Sequence, residues 1–143
     1  NNGDDTYTSK SVKSNYLIYD ANNDGTNDLG LEYDDSPSTK RALAEGVDAI
    51  EFLYLDGTGA SLGTTVADTS EIRAVRVSLL VRATYPDPRY TNTITYEPAS
   101  VQEGISTDVW DINGTQAGTG NPAKDNFHRR LLISTIKLRN MGL

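Results

Sequence analysis

The chain has 143 residues, no cysteine and a formal charge of −7. That length suits one domain spanning 1–143 and able to bury roughly 68% of its unfolded surface. The lack of cysteine excludes disulfides, thiol nucleophiles and cysteine metal sites. The negative charge argues against nucleic acid, whose binding rests on clustered positive charge. No run approaches the ~20 apolar residues that cross a bilayer, and no signal peptide is visible. The chain opens on Asn1-Asn2-Gly3 with no Met, as a processed or truncated piece would.

In chain order, residues 14–19 (Ser-Asn-Tyr-Leu-Ile-Tyr) predict a strand, residues 20–28 a polar turn and residues 29–33 a second strand, together a hairpin. Residues 34–40 form a loop around Pro37. Residues 41–45 have helical propensity but are too short to stand as a helix alone. Residues 46–55 predict a strong strand with Val47, Ala49, Glu51, Leu53 and Leu55 on one face and Asp48, Ile50, Phe52 and Tyr54 on the other. Residues 56–59 read as a turn and 61–70 as a polar loop.

Residues 71–83 predict a long strand with the cleanest alternation in the chain. Val75, Val77, Leu79, Val81 and Ala83 share one face; Ala74, Arg76, Ser78, Leu80 and Arg82 share the other. Pro86 and Pro88 exclude a central strand where they stand. The stretch 84–125 is irregular, with a short candidate strand at 93–96, and is too long for an inert connection. It reads as a functional flap or as a segment packed by neighbouring subunits. An Arg-laden strand, residues 126–140, closes the chain. The expected class is a mainly antiparallel β-sheet with long irregular loops.

Charge is uneven along the chain. Up to Glu71 there are fourteen acids against four bases, a balance of −10; from Ile72 there are six against nine, or +3. Either two faces serve two partners, or acidic loops of the first half neutralise the Arg-bearing strands of the second half, since like charges on one sheet are costly unless partnered.

Asp20, Asn22, Asp24, Thr26 and Asp28, with Gly25 at the bend, have the alternating oxygen ligands of a calcium loop. The twelfth position is Leu31 where a bidentate Glu is needed, and the flanks read as strands. The alternative is a polar turn whose Asn and Asp bond their own backbone. His128 is the only histidine, and it reads as a surface or edge imidazole before a general base. No nucleophile elbow, phosphate loop or zinc spacing is present, and the Asp34-Asp35 pair reads as solvated, so an enzyme is not expected. Trp110 reads either as a contact residue or as an anchor over the sheet edge.

The ordered features are a Tyr-rich strand, the Asp/Asn/Gly turn with Leu29-Gly30, the strand 46–55, the strand 71–83, Pro86-Asp87-Pro88-Arg89-Tyr90, and the terminal Arg129-Arg130-Leu131…Leu138-Arg139-Asn140. Taken in this order they resemble the globular C-terminal part of PilW-type minor pilins of the type IV pilus system, over about residues 14–143. The resemblance implies an α+β pilin-like fold whose long hydrophobic N-terminal helix, the only membrane element, is not in this sequence. It implies a non-catalytic subunit that helps start pilus polymerisation in a tip or priming complex with other minor and major pilins. The place would be the bacterial cell envelope, facing the periplasm and then outside on the pilus. Strand-edge and loop contacts would join the heads, with Arg73, Arg76, Arg82, Trp110, Arg129 and Arg130 as candidate contact residues. Minor pseudopilins of type II secretion share the architecture and are the neighbouring alternative. A calcium-stabilised or carbohydrate-binding β-domain of an adhesin is the third reading.

Overall fold

Two antiparallel sheets carry the chain in a computed structural model that describes residues 14–20, 28–33, 40–110 and 125–138. The first sheet has the order β1 (Ser14–Tyr19), β2 (Asp28–Tyr33), β3 (Lys40–Glu45). The hairpin expected from residues 14–33 is β1 against β2, with Leu17 opposite Gly30. The Tyr19 ring lies over Gly30, so there is no room there for a Cβ. Residues 41–45 are not helical. They form β3, whose ladder to β2 supplies cross-strand hydrogen bonds that a five-residue helix cannot match.

Gly46 turns the chain from β3 into the second sheet at φ 69°, a left-handed conformation that disfavours other residues. Its N–H donates to Oδ1 of buried Asp28 at 3.1 Å, and its carbonyl accepts from the Arg82 N–H at 2.8 Å. One glycine thus ties both sheets together. Tyr16 and Phe52, with ring centroids 5.4 Å apart, add a second link.

The second sheet has the order β5-β4-β6-β7, formed by β4 (Val47–Leu55), β5 (Ser61–Gly63), β6 (Ala74–Arg82) and β7 (Arg129–Lys137). The loop expected at 61–70 therefore holds a short edge strand and, at Thr69–Glu71, a 3₁₀ turn capped by Asp68. The two faces of β6 are those read from its alternation. The Arg-bearing face is the deeper one: Ala74, Ser78 and Leu80 are buried, while Val75, Val77, Leu79 and Val81 are half-buried.

The deeper face is covered by residues 84–110, which pack on their own sheet. Tyr96 and Trp110 exchange both backbone hydrogen bonds at 2.8 Å and join Ala49 and Leu80 in one core cluster, with Leu131 against it. The candidate strand at 93–96 is reduced to this single bridge. A second cluster joins Leu53, Leu55, Ala74 and Ala99. Ala99 opens a one-turn helix, α1 (Ala99–Gln102), too short to persist alone. Strand side chains satisfy its orphan amides: the Ala99 N–H donates to Ser78 Oγ (2.9 Å), and Ser100 donates to Glu51 through both its N–H (3.1 Å) and its hydroxyl (2.6 Å). Glu51 stands among apolar neighbours on β4 because it holds this helix.

Candidate functional site

Of the candidate contact residues, Arg82, Arg129 and Trp110 lie inside the chain. Trp110 is 7% exposed within its cluster. Arg82 and Arg129 stand directly opposite each other on β6 and β7, an arrangement that repels unless partnered. Asp48 supplies the partner. The β4–β6 register slips between Val47 and Ala49, so Asp48 is a bulge residue turned into the buried face, away from the side that strict alternation predicts. Its Oδ1 accepts from Arg82 at 3.0 Å and its Oδ2 from Arg129 Nε at 2.6 Å. Arg129 also grips Asp125 with both terminal nitrogens, at 2.7 and 2.6 Å. The Arg129 and Asp48 side chains are each 2% exposed.

This four-residue network closes the far end of the irregular segment onto the sheet. A first-half acid does neutralise second-half arginines, but it lies on a strand and not in a loop. Burial pushes the Asp48 carboxyl above the usual carboxylate value, against the hydrogen bond of Arg129 and the charges of Arg129 and Arg82. For Asp125, burial also acts upward. The Arg129 and Phe127 hydrogen bonds and the arginine charges outweigh it, and that carboxyl titrates below its ordinary value.

Protonation of Asp125 is linked to folding. A folded-state value below the unfolded value, near 3.8, gives stability that is present above 3.8 and lost as pH falls through the folded value. Asp125→Asn is therefore expected to destabilise by about 2 kcal/mol at neutral pH. That penalty should vanish in acid, as urea unfolding across a pH series would measure.

Two further groups tie the segment down: Asn92, which the sequence reading does not single out, and His128, which it reads as a surface or edge imidazole. Asn92, fully buried, donates its N–H to the Asp125 carbonyl (2.7 Å) and its side-chain amide to the Tyr96 hydroxyl (3.2 Å), which pins the segment at both ends. His128 stacks on Tyr90 with centroids 3.8 Å apart, and its Nε2 lies 3.2 Å from the Asp87 carboxylate, so it is an exposed imidazole tying two loops. A polar residue between the aromatics of 90–96 was the only sequence sign of Asn92.

Arg73, Arg76 and Arg130 lie nearer the surface. Arg73 donates to the carbonyls of Ser70 (2.5 Å) and Ile72 (3.0 Å). Arg76 pairs with Glu103 and reaches Thr135 Oγ1 at 3.2 Å. Arg130 is exposed on β7. That strand is the edge of its sheet among the described residues, and it exposes Leu132, Ile133 and Ile136 by 43%, 37% and 53%. A long edge strand with apolar side chains is a template for another chain.

In the calcium-like loop, Asn22, Asp24 and Thr26 fall outside the described residues, and Asp28 uses one carboxylate oxygen on Gly46. Among the described residues there is no cluster of three or more metal-binding side chains. Nor, among them, is any helix long and apolar enough to cross a membrane.

The model of one protein family, the Type IV Pilus-assembly protein W family, matches residues 15–140. No curated protein and no solved structure matches the chain. Because the match covers nearly the whole chain, the chain belongs to the type IV pilus assembly protein W family and takes part in pilus assembly at the cell envelope.

Proposed function

We propose that residues 1–143 are the single head domain of a minor pilin, a non-catalytic subunit of a tip or priming complex that starts pilus polymerisation. Its partners are other minor and major pilins, first on the periplasmic side of the envelope and then on the extracellular pilus. A hydrophobic N-terminal helix outside this sequence would supply both the α+β class and the membrane anchor. The observation that carries this reading is β7, an edge strand nine residues long that exposes Leu132, Ile133 and Ile136 in a chain of the pilus assembly family. Edge strands bind by adding a partner strand, so assembly needs no catalytic group.

With Arg82 and Arg129 enclosed, the contact cations reduce to Arg73, Arg76 and Arg130. The test is affinity between this head and the heads of the other pilins of the same system, by calorimetry. Ile136→Asp or Arg130→Glu should weaken at least one partner about tenfold or more, as for a central interface position. Unchanged affinity for every partner after reversal of Arg73, Arg76 and Arg130 and after Ile136→Asp would overturn the reading.

Calcium at Asp20, Asn22, Asp24, Thr26 and Asp28 is a separate proposal, supported by the ligand spacing. Bound metal should raise stability by about 2.7 kcal/mol at a hundredfold excess over Kd. Thermal unfolding with calcium and with chelator, beside Asp24→Ala, tests it. No calcium-dependent rise in Tm would leave that loop a polar turn.

A further inference from the structure

A hollow of about 340 Å³ opens at one end of the second sheet, between the turn after β4, the start of β6 and the end of β7. Three cations line it: Arg73, Arg76 and Lys137. The one acid there, Asp56, is committed to its own turn. Its Oδ1 accepts from the Thr58 N–H (2.8 Å), the Thr58 hydroxyl (2.7 Å) and the Ala60 N–H (2.9 Å). Arg76 has Glu103 as counter-charge. Arg73 donates only to carbonyls, and neither Arg73 nor Lys137 meets a carboxylate among the described residues.

Arg73 and Lys137, two cations without a carboxylate partner among the described residues in a chain of net charge −7, suit a negative ligand. We infer that the hollow receives an acidic, extended peptide segment of a partner protein. This deepens the assembly reading by naming the chemistry of the segment that is bound.

Two observations favour a peptide over a free anion. Lys137, the last residue of the open edge strand β7, also lines the hollow, so the edge that can pair with a partner strand ends beside it. The cations are also spread over β6, the residue before it and β7, which suits several carboxylates in a row better than one compact anion. Nucleic acid is disfavoured by the overall negative charge.

The experiment is binding of fluorescently labelled hexaglutamate and hexaglutamine peptides to the purified chain at low salt. Variants are Arg73→Gln with Lys137→Gln, and Arg89→Gln as an exposed cation elsewhere. Circular dichroism checks that each variant folds. Hexaglutamate should bind about tenfold tighter than hexaglutamine, and the double variant should lose about tenfold, the sum of two exposed ion pairs. Arg89→Gln should change affinity by less than about twofold.

The proposal is overturned by absence of hexaglutamate binding, by equal loss in Arg89→Gln, or by displacement with inorganic phosphate at matched ionic strength. Pilin heads that still bind one another while hexaglutamate does not would overturn this proposal and leave the assembly reading standing.

Discussion

Arg129→Ala is expected to destabilise the domain by about 3–5 kcal/mol, the usual consequence of removing one partner from a buried ion pair. Among the described residues Arg129 alone hydrogen-bonds both Asp48 and Asp125, and its side chain is 2% exposed. Its loss strands Asp48, which keeps one bond to Arg82 at 3.0 Å. It also leaves the Asp125 carboxylate, on the residue that returns the irregular segment to β7, with the Phe127 N–H as its one remaining donor among the described residues. The loss should be larger at neutral pH than near pH 5, because both carboxyls then bind protons more readily in the folded state. Raised folded-state values give stability that is lost as pH rises. Adding Asp48→Asn to the Arg129→Ala background should recover part of the loss, and a double-mutant cycle by urea unfolding measures that coupling. Additive effects of the two substitutions would contradict the network.

Trp110→Ala should cost a similar amount, about 3–5 kcal/mol, through lost burial and the cavity left behind. The ring joins Ala49, Leu80 and Tyr96, residues from β4, β6 and the covering segment. Its removal uncovers the deep face of the sheet as well as thinning the core. Equilibrium unfolding followed by circular dichroism is the measurement, since Trp110 is the only tryptophan and the variant has no indole signal. A loss under about 1 kcal/mol would mean that the ring does not bear on the cluster. In the unsubstituted chain the same indole is a probe of whether residues 84–110 are seated.

The elements legible in the sequence were those that local pattern governs. Alternation over β4 and β6, the Tyr-rich β1 and the Arg-laden β7 all read as strands, because period-two burial is written into consecutive residues. β3 did not. Arg41-Ala42-Leu43-Ala44-Glu45 favours helix locally, and only the neighbouring β2 makes it a strand. Nor did the bulge at Asp48, because one slipped residue in a pairing register leaves no local mark.

That slip reassigns the arginines. Arg82 and Arg129 look like surface cations in the sequence, yet their partner Asp48 is 34 and 81 positions away. The signal that was available is weak: Arg82 shares a face with Leu80 and Ser78, so a cation was due at core depth and needed an acid there. The family resemblance in residues 14–143 was legible because it rests on the order of many segments, and the match over 15–140 bears it out.

We propose that the chain helps build pili through the exposed edge of β7. The most direct measurement counts surface pili by electron microscopy in cells lacking the gene, complemented with the full-length protein or with its Ile136→Asp form. Few or no pili without the gene, recovery with the unsubstituted protein and poor recovery with a folded Ile136→Asp protein is the predicted result. Normal piliation without the gene, or full recovery with Ile136→Asp, would contradict it.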